Sequence, residues 1–385
     1  MARLDGVKPG VLLVANWKSD VGFAWWLMES YWAAIARHVA KNAQAHLTFP
    51  ELNALPDAVA QAPIQTHELD FGRQSLSADL GFIRQHNIRM IYLSDRKQLS
   101  SRYLAYRLAG VRIIISHDHT PGLRPPATGI KRLVKSLLQR LPLVTVDTAI
   151  GATDFVRDRL IHTNCIPAHK CATVANGLPD ADPVTAVSIS ERYAIPEDRL
   201  VMVMLARANP YKGIGFALEC LAQFLQQSGN RALHFLFLGD GEYLPELEAQ
   251  AERLGVASNV TFAGYVTDAG NILPACDFAI HPSHGEVGYC LAILEYMRAG
   301  LPLLVPDNPS VCGATIDGET GIVFREKNTA SFVDALERIT GDDALRAQMA
   351  RSAEQHVERF SLSNAHASLI TIVSTLIRER AALSD

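Results

Sequence analysis

No stretch of the 385-residue sequence approaches the about 18 consecutive apolar residues that a membrane-crossing helix needs. The apolar run at residues 11–15 is also too short for a signal peptide. An excess of one charge is lacking too, because 36 Lys and Arg face 40 Asp and Glu, and the net charge of −4 argues against a generally basic nucleic-acid-binding protein. We therefore expect a cytoplasmic protein that binds no nucleic acid, with peripheral contact to a membrane left open.

Motifs for metals, disulfides and dinucleotides are missing as well. The six cysteines are scattered without a Cys-x-x-Cys pair, which favours buried free thiols over disulfides or zinc ligands. Gly239-Asp-Gly241 lacks the third glycine of the dinucleotide fingerprint, since position 244 is Leu. Asp180-Ala-Asp182 has the spelling of a metal motif, but it lies in a turn-rich, polar segment. The sequence therefore predicts no metal site and no bound cofactor.

Short apolar runs alternate with helical periodicity in both halves of the chain, beginning at residues 11–15 and again at 201–206. This alternation predicts an α/β fold with two doubly wound, Rossmann-like parallel sheets. A chain of this length also exceeds one comfortable core. We place the two domains at residues 1–180 and 181–360, followed by an amphipathic helix in 361–385.

A titratable cluster, His117-Asp118-His119, directly follows the predicted strand at residues 111–116. The carboxyl ends of parallel strands are where open α/β sheets hold their ligands. Imidazoles suit polar contacts near neutral pH. We interpret this cluster as a candidate functional group, and a structural role is the alternative.

Residues 281–300 combine a strand end, a short loop and a helix. The loop carries Glu286 and Gly288, and Glu295 follows one or two turns into the helix. A helix N-terminus offers unpaired N–H groups and a positive dipole end, which suits a diphosphate. Carboxylates beside it suit sugar hydroxyls. The stretch therefore indicates a sugar-nucleotide site.

Two patterns in the first half point to further contacts. All four tryptophans fall in the loop and helix after the first strand, where they either pack the helix or stack on a sugar or membrane interface. Residues 95–145 are rich in Lys and Arg, and 130–141 has the pattern of a basic amphipathic helix. That helix fits an anionic membrane surface or a lipid-diphosphate acceptor, and a solvated basic face is the alternative.

A series of motifs in the second half carries a family resemblance. They are Arg207-Ala-Asn-Pro-Tyr-Lys212-Gly213, Leu238-Gly-Asp-Gly241, Val260-Thr-Phe-Ala-Gly-Tyr265, His281-Pro-Ser283, Leu294-Glu295-Tyr-Met-Arg-Ala-Gly-Leu-Pro302 and Asp317-Gly-Glu-Thr-Gly321. With them, the second half resembles the family-4 retaining glycosyltransferases of the GT-B fold over nearly its whole length. The first half is similar more loosely, through Ile115-Ser-His117-Asp118 and Val174-Ala-Asn-Gly177. The resemblance implies two Rossmann-like domains facing a cleft, with the last helix crossing back to the first domain.

The resemblance also implies site residues. Arg207 and Lys212 match the family's diphosphate clamp, where two cations would neutralise the charge of the departing group. Glu295 matches its ribose-binding acid, and His117 matches the residue near the reaction centre of the donor sugar. The remaining donor-binding matches are Tyr265 and Val266 for the base, the backbone of Gly288, Tyr289, Cys290 and Leu291 for the phosphates, and Gly22 as the remnant of a glycine pair after the first strand.

Glu286 departs from the family pattern by one residue. The family separates its two acids by seven residues, and counting back from Glu295 places Val287 at the first-acid position. Either the loop bulges so that Glu286 reaches the sugar as a catalytic residue, or the first acid is absent.

The resemblance implies a metal-independent retaining glycosyltransferase of polysaccharide or glycolipid biosynthesis. It would move a sugar from a nucleoside-diphosphate sugar, bound by the second domain, to a glycan, lipid-linked or small-molecule acceptor at the first. A GT-B sugar phosphorylase or epimerase and a non-catalytic glycan-binding protein are the alternatives.

Overall fold

The structure, a computed structural model, describes residues 8–21, 25–181, 183–185, 187–228 and 232–380. The chain forms two compact units. The first comprises the residues up to Thr120, Arg124–Asn176 and the C-terminal residues from Ser363, and the second comprises Pro121–Leu123 and Gly177–Leu362. The sequence-based boundary at 180–181 lies a few residues beyond this division. No helix in the described ranges is both long and apolar enough to span a bilayer.

The first unit is built on a seven-stranded parallel sheet with the strand order 3-2-1-4-5-6-7. Its strands are β1 (Gly10–Val14), β2 (Gln44–Phe49), β3 (Ile64–Glu68), β4 (Ile88–Ser94), β5 (Ile113–Asp118), β6 (Thr148–Gly151) and β7 (Cys171–Thr173). Its helices are α1 (Trp26–Val39), α2 (Asp57–Ala60), α3 (Leu76–Gln85), α4 (Ser101–Leu108), α5 (Gly129–Leu138) and α6 (Asp154–His162).

The second unit is built on a six-stranded parallel sheet with the order 10-9-8-11-12-13. Its strands are β8 (Leu200–Leu205), β9 (Leu233–Leu238), β10 (Val260–Phe262), β11 (Phe278–Ile280), β12 (Leu303–Pro306) and β13 (Gly321–Phe324). Its helices are α7 (Ile189–Tyr193), α8 (Ile214–Ser228), α9 (Leu244–Arg253), α10 (Ala269–Ile272), α11 (Leu291–Arg298), α12 (Thr329–Gly341) and α13 (Asp343–Val357).

Both sheets confirm the predicted doubly wound α/β architecture. The central strands are apolar and buried on both faces, as expected for parallel sheets covered by helices. In each sheet the strand order reverses once, between β1 and β4 and between β8 and β11. Ligands of such folds bind at the carboxyl ends of the strands on either side of this reversal. The loops after β8 and β11 are therefore neighbours.

The C-terminal helix α14 (Leu362–Arg380) packs with the first unit, as the resemblance implied. His366 Nε2 lies 3.0 Å from Ser30 Oγ on α1, and Arg380 forms an ion pair of 3.0 Å with Asp147. Its buried stripe consists of Ala365, Leu369, Val373 and Leu376. This spacing brings one apolar face of the helix onto the first domain.

The sequence-based elements differ from the structure in two places. The largely apolar stretch 143–150 predicts a strand from residue 143, but β6 begins only at Thr148, because Thr145 forms an isolated bridge with Leu99 and the Asp147 carboxylate accepts the N–H of Ile114. Strand β3 was not predicted. It is an edge strand with mainly polar, partly exposed residues, so it lacks the apolar run of the central strands.

Candidate functional site

Lys212 and Glu286 meet at the strand-order reversal of the second sheet. Lys212 ends a short 3-10 turn in the loop after β8, and Glu286 lies in the loop after β11. The Lys212 ammonium contacts Glu286 Oε1, and His281 Nε2 lies 3.1 Å from the same oxygen. All three side chains are buried or nearly so, with 11% of Lys212, 8% of Glu286 and 1% of His281 exposed.

These contacts decide the charge of the group. Burial alone would raise the pKa of Glu286, but Lys212 and the hydrogen bond from His281 outweigh it and lower the pKa to about 2. For His281, burial acts in the opposite direction and would lower the pKa. The contacts of His281 with Cys290 and Glu286 outweigh burial and raise the pKa of His281 to about 9. The pKa of Lys212 is also raised, because the attraction of Glu286 exceeds the cost of burial. The site is therefore cationic around an ionised carboxylate.

The loop after β11 explains why Glu286, rather than residue 287, faces Lys212. Val287 is buried, with 9% of its surface exposed, and Gly288 adopts φ +103°, a conformation that favours glycine. The Gly288 N–H donates to the Ser310 carbonyl at 2.7 Å, and the Gly288 carbonyl accepts the Gly313 N–H at 2.7 Å. The backbone thus fixes Glu286 at the ion pair. The expectation that the Gly288 N–H faces a phosphate is wrong, because this N–H is already bonded.

Helix α11 begins directly beside this ion pair. Its N-cap, Cys290, makes no side-chain capping hydrogen bond, so the N-terminal N–H groups from Leu291 onward have no side-chain acceptor there. Cys290 Sγ lies 3.4 Å from His281 Nε2. Two further buried atoms near these loops, Asn209 Oδ1 and His281 Nδ1, have no hydrogen-bond partner in the described part of the chain. The arrangement offers donors, acceptors and positive charge to an anionic ligand.

The same loops contain a possible ligand set for a metal. Across the described residues, His281, Glu286 and Cys290 are the group whose ligand atoms all lie within 4.8 Å of one another. The Lys212 ammonium contacts the Glu286 oxygen that such an ion would use. The lysine therefore already supplies the cation at this carboxylate.

Comparison with known proteins agrees with this geometry. Residues 188–356 match the family model described as glycosyl transferases group 1. The second domain is therefore similar to the group 1 glycosyl transferases over most of its length. Alpha-D-kanosaminyltransferase of Streptomyces kanamyceticus is 28% identical over 276 residues, which cover 68% of this chain and 70% of that protein. D-inositol 3-phosphate glycosyltransferase of Acidothermus cellulolyticus is 28% identical over 255 residues, 60% of this chain and 56% of that protein.

Solved structures extend the likeness over both domains. Anabaena Alr3699/HepE in complex with UDP-glucose superimposes with a TM-score of 0.72 at 17% identity, covering 95% of this chain and 99% of that one. At this identity the likeness establishes the GT-B fold. The curated relatives, both glycosyltransferases, support glycosyl transfer as the reaction class.

Glu295 lies in the second domain, outside the contacts of the ion pair. Its carboxylate has no hydrogen-bond partner among the described residues, and burial raises its pKa. It lines a cavity of about 440 Å³ together with Thr267, Asp268, Asn271 and Arg298. A cavity of this size falls in the range of small-molecule sites. A ligand hydroxyl that reaches Glu295 would supply the missing partner.

The other sequence-predicted residues of this domain differ in exposure. Arg207 is exposed in the loop after β8, and the Tyr265 side chain is 65% exposed after β10. Val266 is partly buried against the core. The Tyr289 ring packs edge-on against Phe360 at a centroid distance of 5.2 Å, so this side chain serves the core. Gly22 lies outside the described residues.

His117 belongs to the carboxyl edge of the first sheet. It is fully buried, and its Nδ1 lies 2.5 Å from the Tyr92 hydroxyl. Burial, and then the neighbouring His119, lowers the pKa of His117 well below its usual range, while burial raises the pKa of Tyr92 well above its own. Tyr92 therefore donates to Nδ1, and the proton of the neutral imidazole sits on Nε2. This Nε2–H has no partner within the described residues.

Sequence reasoning missed several neighbours of His117. Asn16, after β1, donates through Nδ2 to the Ser94 carbonyl at 2.5 Å, and its buried Oδ1 has no partner within the described ranges. Asp95, after β4, has φ +51° and accepts the His119 N–H at 2.6 Å, and burial raises its pKa to about 7. Their positions directly after β1 and β4 were the available signal.

Asp118, which the sequence places in the same candidate cluster as the two histidines, makes structural contacts within the first domain. It forms a buried ion pair of 3.2 Å with Arg159 and accepts the Thr120 N–H at 2.9 Å. Both nitrogens of the half-buried His119 lack partners in the structure as described. Burial lowers the pKa of His119 to about 4, so this ring is neutral. The histidines, rather than the aspartate between them, keep ring nitrogens without a hydrogen-bond partner among the described residues.

Proposed function

We propose that the protein is a retaining, metal-independent hexosyltransferase that takes a sugar from a nucleoside diphosphate. The observation that carries the proposal is the buried Lys212–Glu286–His281 group beside the start of α11, in the domain that matches the model of the group 1 glycosyl transferases. Within this family, the motifs favour the family-4 subdivision. No cofactor is needed beyond the donor substrate.

Lys212 would bind the donor diphosphate. A phosphate oxygen placed near the N–H groups of Leu291 and Ala292 would also receive the Lys212 charge, and the exposed Arg207 in the preceding loop can turn onto the other phosphate. Both cations offset the negative charge that grows on the diphosphate as the glycosidic bond breaks. This is the task that a metal ion performs in other transferases.

Glu286 would hold the donor sugar. Its Oε1 is already bound by Lys212 and His281, which keeps the carboxylate ionised and oriented. The second oxygen is then available to accept hydrogen bonds from sugar hydroxyls. Glu295 would accept the ribose hydroxyls in the same way at its cavity.

The first domain would contact the sugar and the acceptor. The Nε2–H of His117 is a neutral donor held by Tyr92, suited to a sugar hydroxyl without adding charge. Trp17 and Trp25 stack at a centroid distance of 3.6 Å in the loop after β1, next to where an acceptor sugar would pack. In the reaction we propose, the acceptor hydroxyl attacks on the face that the diphosphate leaves, and a phosphate oxygen takes its proton.

Nucleotide preference and the role of Lys212 can be tested together. In a thermal-shift series with UDP-, GDP- and ADP-sugars, the donor that binds the folded state raises Tm. With that donor, slow hydrolysis and transfer should fall on the order of 10²-fold or more in Lys212→Ala and stay unchanged in the exposed-site control Lys327→Ala. Unchanged rates in Lys212→Ala would show that the diphosphate assignment is wrong. Turnover that requires inorganic phosphate would identify a phosphorylase instead.

We further propose that α5 places the protein on an anionic membrane surface. None of its residues is buried, and the exposed fractions of Ile130, Leu133 and Leu137 are 78%, 59% and 58%. With Val134, Leu138 and Leu141 they form one apolar face, flanked by Lys131, Arg132 and Arg140. An apolar face bordered by basic residues is the pattern of interfacial membrane helices. A lipid-linked acceptor would be presented at the same surface.

A further inference from the structure

Three histidines from separate parts of the first domain meet at the edge of its sheet, away from the carboxyl-end loops. His46 lies in the middle of β2, His67 lies on the edge strand β3, and His86 follows the last residue of α3. In the strand register, His67 stands opposite Thr48. Thr48 and His46 are two residues apart on one strand, so His46 and His67 share a face of the sheet.

The rings are close enough to be read as a ligand set. His46 Nδ1 and His67 Nε2 lie 3.1 Å apart, and the ring centroids of the three residues are separated by 5.3, 4.5 and 5.0 Å. Two nitrogens bound to one tetrahedral zinc ion at about 2.0–2.1 Å would be about 3.3 Å apart. Three imidazoles on that ion would have centroids about 5 Å apart. The observed spacing therefore matches a three-histidine site.

His86 is the ring that has to adjust, because the nitrogens of all three residues do not yet converge within the 4.8 Å that holds for the group around Cys290. Its ring has no hydrogen-bond partner among the described residues, and it packs on Phe82 at a centroid distance of 4.4 Å. A half-turn about Cβ–Cγ exchanges ring carbons for ring nitrogens without displacing the ring. This rotation of His86 is the adjustment that the metal site requires.

Accessibility and charge state also suit a metal. His46 is 3% exposed, whereas His67 and His86 are half-buried. A metal ion held by the three rings would therefore be shielded from solvent on the side of His46 and could bind a water molecule on the other side. The rings are neutral near pH 7, since burial and then the mutual repulsion of the histidines lower the pKa of His46 to about 4 and lower that of His67 as well. Neutral imidazole is the form that binds metals.

We propose that His46, His67 and His86 form a site for a divalent transition metal, with zinc as the physiological class of ion. Three imidazoles with an open fourth position are a donor set typical of zinc, copper and nickel. The ion would tie edge strand β3 to β2 and to the end of α3. Its role would be to stabilise the first domain, and glycosyl transfer does not depend on it in this proposal.

Cobalt is the probe for the test, because four-coordinate Co²⁺ absorbs in the visible range and zinc displaces it. Tag-free protein, stripped with EDTA and dialysed, is titrated with Co²⁺ and then with Zn²⁺. We expect a visible band that zinc removes, a rise in Tm on zinc addition, and at least about tenfold weaker Co²⁺ binding in His67→Gln and in His86→Gln. The control His169→Gln removes an exposed histidine elsewhere and should bind Co²⁺ like the wild type.

Cys290→Ser separates this site from the His281–Glu286–Cys290 group. If the trio holds the ion, the Co²⁺ spectrum lacks a thiolate charge-transfer band and is unchanged in Cys290→Ser. A spectrum that Cys290→Ser abolishes, equal binding in His67→Gln and His86→Gln, or no saturable binding at all would each overturn the proposal. Circular dichroism of the two histidine variants shows that their sheet content is intact when binding is compared.

Discussion

The Lys212 ammonium and the Glu286 carboxylate form a buried ion pair between the loops that follow β8 and β11. These strands are neighbours at the order reversal of the second sheet, although their loops are more than 70 residues apart in sequence. The side chain at position 286, one residue before the position that the family spacing predicts, is the one that reaches the lysine.

The first prediction concerns this register. The double exchange Glu286→Val with Val287→Glu keeps the composition of the loop and restores the family spacing to Glu295. We expect it to lose on the order of 10²-fold in donor turnover and to lower Tm, because a carboxylate at 287 would be buried without Lys212. Steady-state hydrolysis of the donor measures the first effect. Activity near the wild-type level in the exchanged protein would contradict the register seen here.

The second prediction concerns acid stability. The pKa of Glu286 is lowered to about 2 in the folded protein, so its stabilising contribution is present above its unfolded pKa and is lost as the pH falls from about 4.5 toward 2. This corresponds to a contribution on the order of 3 kcal/mol near neutral pH. Glu286→Gln should therefore reduce the free energy of unfolding at about pH 7 far more than at about pH 3. Guanidinium unfolding at several pH values measures the difference.

Glu246→Gln is the matched control for that series, since Glu246 pairs with Arg253 on the exposed surface. Exposed pairs contribute about 0–1 kcal/mol, so this variant should track the wild type at every pH. Equal losses at both pH values in Glu286→Gln would mean that packing, rather than ionisation, explains its effect.

The third prediction concerns Gly213, which directly follows Lys212. It has φ +75°, and a Cβ at this position would lie 2.1 Å from the Pro282 carbonyl oxygen. Gly213→Ala should lower the free energy of unfolding by about 2 kcal/mol or more and weaken donor binding, because the two loops of the ion pair would be pushed apart. Thermal unfolding and donor titration measure both effects.

Gly255→Ala is the control that distinguishes the steric clash of Gly213→Ala from the strain of a positive φ angle. Gly255 has φ +70°, but no atom lies within 4 Å of its would-be Cβ. Its substitution should cost only the strain of the left-handed conformation, about 1 kcal/mol, and leave donor affinity unchanged. If both variants behaved alike, the contact with Pro282 would play no part.

The fourth prediction concerns α5. Lys131→Glu with Arg132→Glu should weaken co-sedimentation with phosphatidylglycerol vesicles by roughly thirtyfold or more, since each of the two basic residues near an anionic surface contributes about 1 kcal/mol. Leu133→Ser with Leu137→Ser should weaken binding to the same vesicles by removing the apolar face. Arg351→Glu, an exposed basic position on α13, is the charge control. Wild-type protein that stays in the supernatant would end the membrane proposal, and an oligomer that disappears in the leucine variant would assign this face to a second copy.

The sequence predicted the parts of this structure that have strong local signals. The buried central strands and the doubly wound order follow from the apolar runs and their alternation with helical segments. The two motifs that contain Lys212 and Glu295 indicated the function of the second domain from the sequence alone. Strand β3 was not predicted because a half-exposed edge strand shows no run or regular alternation of apolar residues in the sequence.

The residues that the sequence did not indicate are those defined by distant contacts. His281 stands in the sequence only as part of a motif, yet from the end of β11 it contacts the Glu286 carboxylate in the loop that follows the same strand. Tyr92 sets the tautomer of His117 from β4, and no local pattern marks a tyrosine within an apolar strand. The proximity of His46, His67 and His86 likewise depends on strand register and helix packing, which spacing along the chain does not reveal.

The backbone contacts of Gly288 also bear on how this protein can change its donor. The Gly288 N–H and carbonyl are both bonded to residues 310–313, and a Cβ on Gly313 would lie 2.7 Å from the Gly288 oxygen. The loop that carries Glu286 and the segment 308–313 therefore fix each other's backbone, and a change in one requires a matching change in the other. Libraries that vary residues 284–291 alone would mostly yield misfolded loops, whereas variants that exchange both segments together should keep the ion pair and alter the sugar it accepts.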